Sequence, residues 1–171
     1  MQVIFFLIPL QLMRIEKMET KFRCNCPFTT ALDILGDKWM LVIVKQMLME
    51  NKQTFKDFTE SDEGIATNIL TTKLKQLEAF GIITKTKLPN NKKSNIYLLT
   101  EKGLAMTPII VELGIWSDNH LRDFNPTIVN EGGIELLRSN KAEFTKIIVQ
   151  QYREKMAASH LNNSYKPKTK T

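Results

Sequence analysis

The fold is decided by residues 54–81, which read TFKDFTESDEGIATNILTTKLKQLEAFG. Two helical patterns lie within this stretch, a short one over Thr54–Thr59 and a longer one over Ala66–Phe80. The polar sequence SDEG between them predicts a tight turn, and Gly81 ends the second helix, because glycine readily adopts the backbone conformation that stops a helix. Two helices joined by such a turn are typical of a helix-turn-helix unit.

The second of these helices has two chemically different faces. Leu70, Leu74 and Leu77 recur at i, i+4 and i+7, so they form one apolar stripe that would hold the helix on a core. The opposite face carries amide, hydroxyl and ammonium groups, which hydrogen-bond base edges and phosphates. These candidates for DNA contact are Asn68, Thr71, Thr72, Lys75 and Gln76.

Two more helices are predicted upstream. The run TTALDIL indicates a first helix over 29–35, capped by Thr29 or Thr30 and ended by Gly36. Residues 37–50 are apolar on most sides and predict a buried central helix with Asp37 as its N-cap. The leucine stripe is expected to pack against this helix, on Trp39, Val42 and Ile43.

Downstream, the hydrophobic period changes from helix to strand. Residues 82–88 and 95–99 predict a hairpin whose polar turn, 89–94, is rich in lysine. A helix is expected from Thr100 to about Arg122, with Pro108 forcing a kink or a break. A last helix, Lys141–Ala158, is predicted after a Ser139 or Asn140 cap. Its apolar residues recur every fourth position and are expected to pack on the domain or across a dimer: Phe144, Ile148, Tyr152 and Met156.

Helices followed by a hairpin are the layout of a winged helix. We therefore predict an α+β, mostly helical fold: a winged helix-turn-helix with a two-stranded wing, dimerising through flanking helices. The predicted organisation is an N-terminal extension (1–21), a DNA-binding domain with its dimerisation helix (22–123), a C-terminal helical extension (124–158) and a disordered basic tail (159–171).

Charge favours an anionic partner. The chain has 24 Lys and Arg against 18 Asp and Glu, a net charge of +6, and residues 67–93 hold six lysines against one glutamate. Each phosphate that a lysine neutralises releases counterions and so favours binding. The predicted wing lysines are Lys85, Lys87, Lys92 and Lys93. A polar helix face or a basic turn alone is usually just solvated surface, but their conjunction favours double-stranded DNA.

Five ordered blocks over about 26–120 resemble the HxlR-type family of MarR-like winged-helix transcriptional regulators. They are CP at 26–27 with ALDILGDKW at 31–39, FKDF at 55–58, IATNILTTKLKQLEAFGII at 65–83, YLLTEKG at 97–103, and Trp116. The resemblance implies a homodimer, often a repressor, on a roughly palindromic operator. It also implies, for some members, sensing of electrophiles or oxidants through the cysteine that precedes the proline.

One departure from the family pattern concerns base recognition. The family often has Ser-Pro-Arg where this chain has Ala66, Thr67 and Asn68. The usual capping hydroxyl is therefore lost unless Thr67 caps one residue later. In place of the arginine, Asn68 is able to pair bidentately with adenine.

The chain has two cysteines, Cys24 and Cys26. Cys26 lies near a helix N-terminus, where backbone N–H groups stabilise a thiolate, so it is the candidate redox sensor, with Cys24 as a resolving partner or an intersubunit disulfide partner. Alternatively, Cys26 is a small buried packing residue.

We find no motif for a metal, a cofactor or catalysis, so we expect none of them and no enzyme. A thiol-dependent enzyme that used Cys26 would lack a neighbouring base.

The apolar start, MQVIFFLIPLQLM, is too short to span a bilayer and lacks signal-peptide flanks. We interpret it as an upstream extension, with Met18 as the possible true start, and expect a cytoplasmic protein with no membrane partner. The alternative function is a winged-helix protein–protein interaction module that does not bind DNA; salt-dependent duplex affinity distinguishes the two.

Overall fold

The structure is a computed structural model that describes residues 21–88, 91–128 and 137–164, with the side chains of 88, 91–93 and 158–164 excepted. Within these ranges the helices and strands follow in the order α1 Pro27–Leu35, α2 Lys38–Met49, α3 Phe55–Thr59, α4 Thr67–Ala79, β1 Ile83–Leu88, β2 Asn91–Leu99, α5 Glu101–Leu104, α6 Thr107–His120 and α7 Lys141–Ser164. The mostly helical winged-helix prediction is confirmed. Residues 1–20 of the predicted N-terminal extension, with the possible start at Met18, lie outside the described residues.

The first helix begins two residues earlier than predicted. Pro27 occupies its first turn and Cys26 is its N-cap, so Thr29 and Thr30 are inside the helix and the prediction that one of them caps it is wrong. Proline favours the first helical position because its fixed φ suits a helix and its missing N–H would be unpaired there anyway. The predicted cap of α2 is confirmed, since the Asp37 carboxylate accepts a hydrogen bond from the Trp39 N–H at 2.9 Å.

A capping box starts α3. The Thr54 hydroxyl accepts from the Asp57 N–H, and the Asp57 carboxylate accepts from the Thr54 N–H at 2.8 Å. The turn to α4 contains Gly64, whose φ of +63° is one that glycine adopts without strain. Gly81, with φ +66°, follows α4 as predicted.

The leucine stripe of α4 is buried in the core, as predicted. Leu70, Leu74 and Leu77 are each at most 2% exposed. Of their expected partners, Ile43 belongs to the same buried cluster, Trp39 packs against it, and Val42 is only partly buried. The cluster joins α2, α3, α4, the foot of the hairpin and α7; among its most buried side chains are Met40, Ile43, Val44, Met47, Phe58, Leu70, Leu77 and Ile83.

The hairpin is antiparallel, with Ile83 opposite Leu99 and Lys87 opposite Asn95, and its register shifts after Lys87. The second strand begins at Asn91, so the prediction that residues 91–94 belong to the turn is wrong. The outer part of the hairpin is solvent-exposed, as Lys85 and Lys87 show, and pairing there needs no apolar side chains. An isolated antiparallel β-bridge between Thr54 and Ile96 places a third, very short stretch of chain beside β2.

The helix predicted from Thr100 to Arg122 is broken in two, as Pro108 required. α5 ends at Leu104, and α6 starts with Pro108 in its first turn. Among the described residues, no helix is both long and apolar enough to cross a membrane.

The last helix, α7, is longer than predicted. It is capped by Asn140, whose side chain accepts from the Glu143 N–H at 3.1 Å, and it continues past Ala158 to Ser164. Pro167 is the first proline after its start, so the sequence holds no earlier residue that would break it. Its apolar stripe packs on the domain: Tyr152 is 3% exposed, and Ile148 and Met156 pack against the core.

Candidate nucleic-acid interface

The polar face of α4 points away from the core. Asn68, Thr71, Thr72 and Lys75 are exposed, and Gln76 is partly buried. The same helix buries its leucines, because residues about half a turn apart lie on opposite sides of a helix. The structure thus brings together on one face the five side chains that the sequence singled out on α4.

The two threonines are held in place by their own helix. The Thr71 hydroxyl donates to the Thr67 carbonyl at 2.7 Å, and the Thr72 hydroxyl donates to the Asn68 carbonyl at 3.0 Å. Each hydroxyl proton is therefore committed to the helix, and each exposed hydroxyl oxygen can still accept a hydrogen bond.

The two α4 lysines differ in their partners. Lys73 is 16% exposed and forms an ion pair with Asp37 at 3.1 Å, so it ties α4 to the start of α2. Lys75 is exposed and forms no ion pair with any described residue. Of these two lysines, Lys75 is therefore the one positioned to meet an outside anion.

The N-terminus of α4 has no side-chain cap. Ala66 is the N-cap residue and Thr67 is the first helical residue, so the alternative in which Thr67 replaces the family's capping hydroxyl is wrong. No capping side chain therefore binds the N–H groups of the first turn, and the positive end of the helix dipole lies next to Asn68.

The wing adds positive charge beside this helix. Lys85 and Lys87 are exposed and lie on the same face of β1 as Ile83, which is buried at the foot of the hairpin. The side chains of Lys92 and Lys93 lie outside the described residues.

Hydrogen bonds between α2 and the turn of the helix-turn-helix unit were not predicted from the sequence. The Glu63 carboxylate, in that turn, accepts hydrogen bonds from the Lys45 ammonium and from the Gln46 amide, the latter at 2.7 Å. Partial burial acts to raise the pKa of Glu63, but the hydrogen bonds from Lys45 and Gln46 prevail and lower that pKa to about 2. No local signal pairs these residues, because α2 and the turn are 17 or 18 positions apart along the chain.

Both cysteines are exposed and reduced, so the alternative that Cys26 is a buried packing residue is wrong. The pKa of the Cys26 thiol is lowered, first by the backbone N–H of Thr29, then by the Thr29 hydroxyl and the backbone N–H of Phe28. The Cys26 N–H lies 3.4 Å from the Cys24 sulfur and donates to it. The two thiols are therefore neighbours at the start of α1.

Two helices expose large apolar side chains. On α1, Phe28 is 78% and Leu32 65% exposed, and on α6 Trp116 is 55% exposed, next to Ile109 and Leu113. Trp116, one of the positions that carry the family resemblance, is therefore not a core residue. In the part of the chain that the structure describes, no cluster of three or more His, Cys, Asp or Glu could hold a metal ion.

Comparisons with known proteins converge on one family. The family model described as HxlR-like helix-turn-helix matches residues 34–124. The Bacillus subtilis (strain 168) protein named HTH-type transcriptional regulator YodB is 35% identical over 94 residues, which are 54% of this chain and 83% of that relative. YvaP, an HTH-type transcriptional regulator of the same organism, is 33% identical over 93 residues, 54% of this chain and 85% of its own. The solved structure of the redox regulator HypR in its reduced form superposes with a TM-score of 0.51 at 26% identity, covering 59% of this chain and 99% of that one.

Proposed function

Because the chain belongs to the HxlR-like helix-turn-helix family of transcriptional regulators, we propose that it is a repressor that binds a palindromic double-stranded DNA operator as a homodimer. The observation that carries the proposal is the outward polar face of α4 on a helix whose leucines are buried. Such a helix can enter the major groove, which has the width of one helix and displays a distinct donor and acceptor pattern for each base pair.

Each interface residue has a chemical role in this proposal. Asn68 pairs with an adenine edge, and the hydroxyl oxygens of Thr71 and Thr72 accept from base amino groups or from water. Lys75 neutralises a phosphate beside the groove, and the uncapped first turn of α4 favours another through its N–H groups. Gln76 reaches the same strand at the edge of the contact.

The wing supplies contacts that do not depend on sequence. Lys85 and Lys87 lie on its exposed outer part, and Lys92 and Lys93 follow the turn, at the start of β2. In the proposal, all four wing lysines bind the phosphate backbone next to the groove that α4 enters. Phosphate contacts fix the register of the protein on the duplex, whereas base contacts specify the sequence.

The exposed apolar faces of α1 and α6 form the dimer interface in this proposal. These two helices expose five large apolar side chains, which exceeds the single exposed residues that are ordinary on a monomer. They are Phe28, Leu32, Ile109, Leu113 and Trp116. A two-fold axis through this surface places two copies of α4 one turn of DNA apart.

Cys26 is the sensor in this proposal. Its exposed, readily ionised thiol is oxidised by a peroxide to a sulfenic acid, and the peroxide is reduced to water or an alcohol. The thiol of Cys24, in the same or in the second copy, then displaces water from the sulfenic acid and forms a disulfide. Because Cys26 caps α1, this chemistry acts on the helix that also contributes to the dimer surface.

Selection of DNA from a random duplex pool with the purified protein, before and after treatment with hydrogen peroxide, tests the proposal. An enriched palindrome supports DNA recognition, and its loss on oxidation in the wild type, but not in Cys26→Ser, supports the sensor. Enrichment that oxidant leaves unchanged overturns the sensor only. A protein that enriches no sequence and has no duplex affinity fits the interaction-module alternative.

The salt dependence of affinity for the selected duplex tests the residue roles. Lys85→Ala with Lys87→Ala should reduce the slope of log K against log salt by about one for each phosphate that is no longer neutralised. Asn68→Ala should weaken binding and relax the preference at one base pair. The matched control is Lys146→Ala, an exposed α7 lysine outside the proposed interface, which should leave the slope unchanged.

A further inference from the structure

The helix α7 lies outside residues 34–124, the part that matches the family model. It nevertheless packs on α2 and α6 and forms a hydrogen bond with β2, the second strand of the wing. Its Tyr152 is 3% exposed, and Ile148, Val149 and Met156 pack against the same core cluster that holds the leucines of α4. Its contacts with β2 and with Gln53, just before α3, place it beside the candidate interface.

One of these contacts completes the edge of the sheet. Tyr97 and Leu99 are two positions apart on β2, so their N–H groups point to the same edge. The Tyr97 N–H donates to the Gln53 carbonyl at 2.8 Å, and the Leu99 N–H donates to the hydroxyl oxygen of Tyr152, also at 2.8 Å. The tyrosine hydroxyl is thus the next hydrogen-bond acceptor along this sheet edge after the Gln53 carbonyl, at the foot of the wing.

Other contacts of α7 surround this hydrogen bond. The Gln53 side-chain amide lies 3.3 Å from the Met156 sulfur, just before α3 begins. Arg153 pairs with Glu101 of α5 at 2.6 Å, directly after β2 ends. The helix therefore contacts Gln53, whose carbonyl is hydrogen-bonded to β2, and Glu101, which follows β2 along the chain. The hydrogen bond between Tyr152 and Leu99 is a third contact in this region.

We infer that Tyr152 is a positioning residue that fixes the foot of the wing relative to α4, and that α7 thereby sets the DNA contacts of the wing lysines. A buried N–H that loses its acceptor costs free energy, so the position in which the Leu99 N–H meets the Tyr152 hydroxyl is favoured. The inference rests on the proposed function, since it concerns how the wing reaches the phosphate backbone.

Tyr152→Phe in the full chain tests the inference, because it removes the hydroxyl and keeps the ring. Hydrogen exchange at the Leu99 amide should accelerate about tenfold or more, because the free energy lost when a buried donor is left unpaired corresponds to a change of this size. The Tyr97 amide, bonded to Gln53 instead, is the internal reference and should change much less. Arg153→Gln is the control variant, because its ion pair is exposed and contributes little.

The second measurement is the salt dependence of duplex binding by the same variants. A displaced wing no longer reaches its phosphates, so Tyr152→Phe should weaken binding about threefold or more and also flatten the salt slope. A merely less stable protein would bind with lower apparent affinity and an unchanged slope, because only its folded fraction falls.

Each outcome decides the inference. Equal acceleration of the Leu99 and Tyr97 amides, or normal exchange at both, overturns it. Selective acceleration at Leu99 with unchanged duplex affinity and slope also overturns it, and leaves the proposed function intact. If the wild type itself has no duplex affinity at low salt, the proposed function fails, and the positioning role fails with it, whatever the exchange data show.

Discussion

Glu63→Gln should destabilise the protein, although Glu63 lies in a surface turn. The substitution removes the charge that Lys45 neutralises and keeps one oxygen for the Gln46 amide. The pKa of Glu63 is lowered from 4.5 to about 2. Because one pKa unit corresponds to about 1.4 kcal/mol, this sets an upper bound of about 3 kcal/mol. Glu63 keeps 27% and Lys45 35% of their side-chain exposure, so solvent screening reduces the expected loss to about 1–2 kcal/mol.

The pH dependence gives the sign of this effect. A carboxyl whose pKa is lower in the folded than in the unfolded chain binds fewer protons when folded, so it stabilises the fold above its unfolded pKa. The contribution of Glu63 is complete above about pH 4.5 and is lost as pH falls toward 2. The difference between wild type and Glu63→Gln should therefore be largest near neutral pH and shrink through this interval.

Urea unfolding of both proteins at several pH values measures the free energy of unfolding. The control is Glu78→Gln, which removes an exposed charge on α4 that forms no ion pair with any described residue. Equal stability of Glu63→Gln and wild type at pH 7, or a difference that does not shrink on acidification, would refute the reasoning. A destabilisation of the same size in Glu78→Gln would also refute it, because it would show an effect of net charge.

Three further predictions concern the anchor, the dimer surface and the thiol. Leu74→Ala should lower the free energy of unfolding by about 3 kcal/mol, because a 2% exposed leucine leaves a cavity; urea unfolding that shows a decrease of less than about 1 kcal/mol would contradict its core role. Trp116→Glu should shift a dimer toward monomer in analytical ultracentrifugation at micromolar concentration, and an unchanged sedimentation coefficient would place the interface elsewhere. The alkylation rate of Cys26 by iodoacetamide, followed against pH in Cys24→Ser, should titrate below the pKa of an unperturbed cysteine, because the Thr29 N–H stabilises the thiolate; an ordinary or higher value would show that α1 does not activate it.

Much of the candidate interface was predictable because it depends on local periodicity. The spacing of Leu70, Leu74 and Leu77 fixes which side of α4 is buried, and hence that Asn68 and Lys75 point outward. Capping rules also placed Asp37 at the start of α2. They misplaced the start of α1, because proline at the first position outweighed the threonines two and three residues later.

The family resemblance and the local pattern could not predict contacts between residues far apart in the chain. Nothing around Glu63 indicates Lys45 or Gln46, and nothing around Tyr152 indicates Leu99, 53 positions away. The four-residue spacing that contains Tyr152 predicted only an apolar stripe.

The amino-acid sequence by itself determined the type and order of the elements, the buried face of α4 and the basic wing, because helical and strand periods are properties of neighbouring residues. The tertiary structure alone decided which lysine of α4 is paired, that the thiols are exposed, and that α7 packs against the foot of the wing. These outcomes depend on where separate elements meet in space, and packing of the whole chain sets that arrangement.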